Sequence, residues 1–165
     1  MELFEAIKGR RSVRKYKEGA EIEKGVLERI VDAGKYAASA RAVYPWRFVV
    51  ITDKSRIREL TGIVGSNGAF MKDAAAAIVV ASEETKYYLE DGSAATQNML
   101  LAAHSLGAGA CWIAGDKKDY CGRVLEFVKA PEGYKLVSII SCGIPDETPV
   151  KEKPSLEKLM VWEKF

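Results

Sequence analysis

The chain has 165 residues, of which 48% are hydrophobic, and its 25 Lys+Arg against 23 Asp+Glu leave a net charge of +2. A chain of this size fits one domain and buries about 68–70% of the surface it exposes when unfolded, so a core forms without staples; the composition excludes disordered and fibrous classes, and so weak a charge gives no argument for nucleic acid. Cys111, Cys121 and Cys142 are odd in number and contain no C-x-x-C pair, which argues against a disulfide framework or a zinc site and for structural thiols in a reducing compartment.

No stretch near the start pairs a basic head with an apolar run, and Ala74–Ala81 is far too short to span a bilayer. The expectation is a cytoplasmic protein without membrane or nucleic-acid partners. Leu3, Phe4 and Ile7 share one face of a short first helix, which Gly9 is expected to end in the left-handed conformation. A basic loop, Arg10–Tyr16, follows. From Glu23 to about Ala38 the positions Val26, Leu27, Ile30, Val31 and Gly34 recur at helical spacing.

Arg47–Thr52 reads as a strand, and Asp53 is placed to cap a helix carrying Ile57, Leu60 and Val64. Ala74–Ala81 is a continuous apolar run suited to a strand buried on both faces. A long Ala-rich helix is expected from about Asp91 to Leu106, stopped by Gly107; it is apolar on most of its circumference and belongs in the middle of an assembly. Ala110–Ala114 is a short strand, Lys117–Lys129 a helix, Pro131–Gly133 a turn and Lys135–Cys142 a second central strand.

Pro145, Pro149 and Pro154 make the remainder an extended arm, because each fixes its own backbone and biases the residue before it away from helix. The arm ends in Leu156, Leu159, Met160, Val161, Trp162 and Phe165, too apolar to remain in water, so it is expected to dock on a second subunit. The whole chain, residues 1–165, reads as one α+β domain of three-layer character, with 144–165 as the arm.

Arg10, Arg11 and Arg14 place three guanidinium groups, with the Ser12 hydroxyl, in one loop. The arginine fork matches phosphate oxygens in pairs, and a charge-assisted hydrogen bond contributes about 1.5–3 kcal/mol. A bare charge cluster is more often a solvated loop. His104, the single histidine, reads as a packed or surface residue, and Gly107–Ala–Gly109 precedes a strand, so it is no dinucleotide fingerprint. One histidine also leaves no Ser-His-Asp set.

The order of motifs resembles the nitroreductase family of FMN enzymes. Arg10, Arg11, Ser12 and Arg14 match its R-[RHS]-S-x-[RK] motif; Ala38–Trp46 matches a P-S-x-x-N-x-Q-P-W-like segment followed by a strand; Asp91–Gly115 matches the long helix and G-[LA]-G-x-x-W-I-x-G strand; and Gly143–Pro145 leads into a basic, Pro-containing tail. The resemblance implies a three-layer α/β/α fold with a mostly antiparallel central sheet, in a homodimer that exchanges its C-terminal arms. It further implies an FMN-dependent oxidoreductase that takes hydride from NADH or NADPH through the flavin N5 and reduces nitroaromatics, quinones or related small-molecule acceptors in a ping-pong cycle. No catalytic side chain and no metal are then expected.

By the same resemblance Arg10, Ser12 and Arg14, with Arg11 adjacent, hold the FMN phosphate, ribityl chain and pyrimidine edge, and Asn67 touches the ring. Ser39, Ala40 and Arg41 belong to the segment that crosses to the partner's flavin, although Ala38, Ala42 and Tyr44 depart from the usual proline, asparagine and glutamine. Ile113, Ala114 and Gly115 form the strand end near N5, and Lys151 and Lys153 reach the phosphate. Tyr87 and Tyr88, in the short Ser82–Glu90 stretch, could stack on substrate. The alternatives are a flavin-binding or storage module without turnover, and a specialised branch of the fold that removes halogen or oxidises a ring.

Overall fold

A computed structural model describes residues 1–165. Its elements are α1 (Leu3–Gly9), α2 (Lys24–Lys35), β1 (Trp46–Ile51), α3 (Lys54–Val64), β2 (Ala76–Glu83), α4 (Tyr88–Ser105), β3 (Gly109–Ala114), α5 (Cys121–Phe127) and β4 (Tyr134–Gly143). The four strands form one antiparallel sheet in the order β1-β2-β4-β3. The apolar runs at β2 and β4 therefore lie at the centre, as expected of strands covered on both faces.

Alternation along these strands divides the core into two layers. Ile78, Val80, Val137 and Ile140 face Leu27 and Ile30 of α2 and Met99, Leu100 and Ala103 of α4. Val79, Leu136 and Ile139 face Ile57, Leu60 and Val64 of α3 and Val124 of α5. Each fully buried side chain of this size contributes about 1.5–3 kcal/mol, so the sheet is held from both sides and the expected three-layer arrangement follows. The register shift between Val80 and Ala81, whose partners are Ser138 and Leu136, marks a bulge at Val137 on β4.

Three local expectations are corrected. Gly9 is the last residue of α1 and is not left-handed; Arg10 continues with φ −57 and ψ 131, because the chain leaves in an extended course towards β3. α4 begins at Tyr88 rather than Asp91, so the Ser82–Glu90 stretch is divided between β2 and α4 with only Glu84–Tyr87 between them. α5 begins at Cys121 rather than Lys117, since Lys117 itself has φ 64 and turns the chain. Asp53 does cap α3: its side chain accepts from Arg56 N at 2.9 Å.

Candidate flavin site

The basic loop is fixed at both ends by backbone pairing. Val13 N donates to Ala110 O at 3.0 Å, Lys17 N to Ile144 O at 2.9 Å, and Asp146 N to Lys15 O at 3.0 Å, so residues 12–17 run beside the first residues of β3 and the segment after β4. Val13 and Tyr16 point inward. The Tyr16 hydroxyl is buried at 2.7 Å from both Val13 O and Ser141 Oγ, and burial pushes its pKa far up. Two glycines make the approach possible: a Cβ on Gly109 would stand 2.8 Å from Val13 Cγ1, and one on Gly143 would stand 2.6 Å from Tyr16 Cδ1.

With Val13 and Tyr16 anchored inside, Arg14 and Lys15 between them are left at the surface. Arg11 Nη1 donates to Lys8 O at 2.6 Å and Arg10 O at 2.9 Å, closing the carbonyl end of α1. Arg14 lies over the Phe70 ring, 5.7 Å from its centroid, while its backbone N–H and that of Lys15 donate to Glu147 Oε1 at 2.5 and 3.0 Å. Cys111 lies beneath; burial pushes its thiol up, opposed by the Arg14 charge and a Ser12 hydrogen bond. Ile113 packs against Gly68, which brings the loop of exposed Asn67 beside β3.

A cavity of about 520 Å³ opens here, lined by Arg10, Arg11, His104, Gly109, Pro145 and Glu147 among others. Arg11 Nε is buried without a hydrogen-bond partner. An orphaned buried donor costs roughly 1–3 kcal/mol, and it sits beside a second guanidinium, so the lining fits an anionic group such as the phosphate of FMN. A larger groove of about 1020 Å³ runs between α2 and the open edge of β1, but none of the loop cations reaches it. Charge, rather than volume, marks the smaller cavity as the candidate site.

The end of β3 is fixed from the α5 side. Gly115 is buried, and a Cβ there would stand 2.6 Å from Val137 O, so only glycine fits. Tyr120 donates its hydroxyl to Ala114 O, and Cys121 Sγ donates to Gly115 O at 2.7 Å. Tyr88 turns its hydroxyl to Asp116 Oδ1 at 2.6 Å, whereas Tyr87 is exposed beneath Lys86 Nζ, 5.2 Å from its ring centroid. Ile113 is buried and Ala114 exposed.

Ser39 and Ala40 lie elsewhere. Ser39 Oγ and Ala40 N donate to the two carboxylate oxygens of buried Asp91, at 2.8 and 3.0 Å, and Arg41 is exposed beyond them. Asp91 and His104 are separated by thirteen residues of α4, roughly 20 Å along the helix axis. The loop at 39–41 therefore sits near one end of α4 and the Arg10–Arg11 cations near the other. Lys151 and Lys153 are exposed just beyond Val150, which lines the cavity. The sequence assigns no role to Glu147, Asp116 and Tyr120, none of which stands in a motif, and marks Asp91 only as the start of the long helix.

Residues 7–69 and 63–144 match the profile of the Nitroreductase family. The chain belongs to that family. A Methanothermobacter thermautotrophicus protein provisionally named NADH dehydrogenase/NAD(P)H nitroreductase is 36% identical over 155 residues, covering 90% of this chain and 80% of its own length. An FMN-dependent nitroreductase of Clostridium difficile superposes with a TM-score of 0.92 at 32% identity, covering 98% of this chain and 99% of that one. A Desulfovibrio desulfuricans protein provisionally named a nitroreductase, solved in complex with FMN, superposes with a TM-score of 0.84 at 27% identity over 100% of this chain and 98% of that one. These nitroreductase-fold relatives share the sheet and helix arrangement that carries the loop cations.

Proposed function

We propose that this nitroreductase-family chain is an FMN-dependent NAD(P)H oxidoreductase that reduces nitroaromatics, quinones or related acceptors in a ping-pong cycle. The observation that carries the reading is the cavity at Arg10 and Arg11, with an unpartnered buried guanidinium nitrogen, in a fold shared with a relative that binds FMN. FMN, when bound, supplies the hydride chemistry between nicotinamide and acceptor at its N5. The rest falls to the chain. Arg10, Arg11 and Ser12 hold the phosphate and ribityl chain; Arg14, over Phe70, places positive charge near the pyrimidine edge, which raises the reduction potential. The strand end Ile113–Gly115 and the loop at Asn67 border the ring.

Because Ser39–Arg41 lies so far along α4 from Arg10, that segment is assigned to the flavin site of a second copy, in a homodimer with exchanged C-terminal arms. The exposed apolar residues of α1 and of the arm supply the surface for it. Lys151 and Lys153, in the same arm, add charge at a phosphate. No helix is long and apolar enough to cross a membrane, and with three free thiols we place the protein in the cytoplasm.

The test is a flavin titration followed by reduction. Protein mixed with FMN is expected to take it up stoichiometrically, to bleach with NADH or NADPH, and to recover its colour with a quinone or nitro compound. Arg10→Ala is expected to shed FMN while remaining folded. Flavin held but not bleached by either nucleotide would favour a storage module, and no uptake at all would overturn the reading.

A further inference from the structure

His104 is the last residue but one of α4, where the end of α1 packs against that helix. Gly9 makes room for the ring: a Cβ there would lie 2.7 Å from His104 Nε2. The imidazole lines the cavity already described, together with Arg10 and Arg11. Resting on the FMN reading above, we infer that His104 is a phosphate-binding residue, and that its imidazole takes a proton from solvent as the FMN phosphate enters.

The charges around the ring set the direction. Burial first, then the neighbouring Arg10 and Arg11, hold its pKa below the ordinary histidine value, so at neutral pH the ring is uncharged before the anion arrives. Glu147, from the segment after β4, completes the titratable lining, which Met1 also borders. Glu147 is already engaged by the backbone of Arg14 and Lys15. A phosphate dianion offsets the repulsion of the two arginines and adds attraction of its own, which raises the histidine pKa and draws one proton onto a ring nitrogen. No other bond changes. The phosphate has a second pKa of about 6, so above pH 7 it neither gives nor takes an appreciable fraction of a proton.

The experiment is calorimetric titration of the full chain at pH 7.5 with FMN, and separately with riboflavin, in phosphate-free buffers of different ionisation enthalpy. FMN is expected to bind with uptake of up to about one proton per site, whereas riboflavin, lacking the phosphate, takes up none. His104→Gln keeps a hydrogen-bond donor but cannot titrate; it should abolish the uptake and weaken FMN about tenfold, while riboflavin affinity stays unchanged. Gly9→Ala, which suits a helix but displaces the ring, should lose uptake to a similar degree. An FMN binding enthalpy independent of buffer, or unchanged uptake in His104→Gln, overturns the inference while leaving the flavin reading intact. Failure of wild type to bind FMN overturns both.

Discussion

Tyr88, the first residue of α4, donates its hydroxyl to Asp116 Oδ1 at 2.6 Å and so ties the start of the long helix to the turn that leaves β3. The hydrogen bond to Asp116, followed by desolvation, pushes the phenol pKa up to about 12. A group whose pKa is raised by folding stabilises the fold fully below its unfolded value, about 10, and loses that contribution as pH rises through the folded value. Tyr88→Phe should therefore cost about 0.5–1.5 kcal/mol at neutral pH, towards the low end because the pair is only part-buried. The gap from wild type should close between pH 10 and 12. Urea unfolding at a series of pH values measures it; a gap that stays constant would detach the hydroxyl from Asp116.

Asp91 organises the segment assigned to the neighbouring copy. Its carboxylate takes both Ser39 Oγ and Ala40 N, and Ser39 Oγ in turn accepts from Tyr44 N at 2.9 Å. Within that closed loop Arg41, Ala42 and Tyr44 hold φ values of 56, 54 and 51, a region costly for side-chain-bearing residues. Asp91→Ala removes what sustains the strain and leaves donors without an acceptor, so a loss of about 2–3 kcal/mol is expected. Asp91→Asn keeps one acceptor and should fall between. Equal urea midpoints for Asp91→Ala and wild type would show that the loop stands without it.

Gly115 tests the end of β3 directly. The clash a Cβ would meet is with the backbone carbonyl of Val137, on the neighbouring central strand, and neither chain has room to yield. Gly115→Ala should destabilise by about 2–3 kcal/mol and displace the Tyr120 and Cys121 contacts to Ala114 and Gly115. Gly122→Ala, in open space on α5, is the control, expected to be neutral or slightly stabilising. Similar thermal midpoints for the two variants would remove the steric account.

What could be read from sequence divides along physical lines. The strand β2 announced itself because burial on both faces leaves an unbroken apolar run, β4 because its apolar residues do not alternate strictly with polar ones, and α3 because Asp53 carries its cap. The start of α4 did not, since Tyr87 precedes it without a side-chain cap, and Gly9 misled because the helix ends by straightening rather than reversing. The loop cations were legible because they are contiguous. Glu147, Asp91 and Asp116 were not: the groups they hold lie 133, 52 and 28 residues away in sequence, and only the fold brings them together. The hydrogen bond from the Tyr88 hydroxyl to Asp116 likewise leaves no mark in the sequence, and it leaves open the stacking role expected of the ring.

The C-terminal arm offers the last prediction. Leu156, Leu159, Trp162 and Phe165 are exposed, and Leu3 and Phe4 of α1 are exposed as well. Residues from Lys151 onwards are all exposed and belong to neither core layer, so a chain ending at Lys153 should keep its sheet and both layers as a monomer. If a second copy covers these side chains, removing four large apolar groups at about 1.5–3 kcal/mol each exceeds what most dimers can lose. Sedimentation should then show a monomer where the full chain is a dimer, and FMN affinity should drop because Ser39–Arg41 no longer reaches a neighbouring site. A truncated chain that dimerises as tightly as the full one would place the contact on α1 and α4 alone, and would leave the apolar arm without a mate.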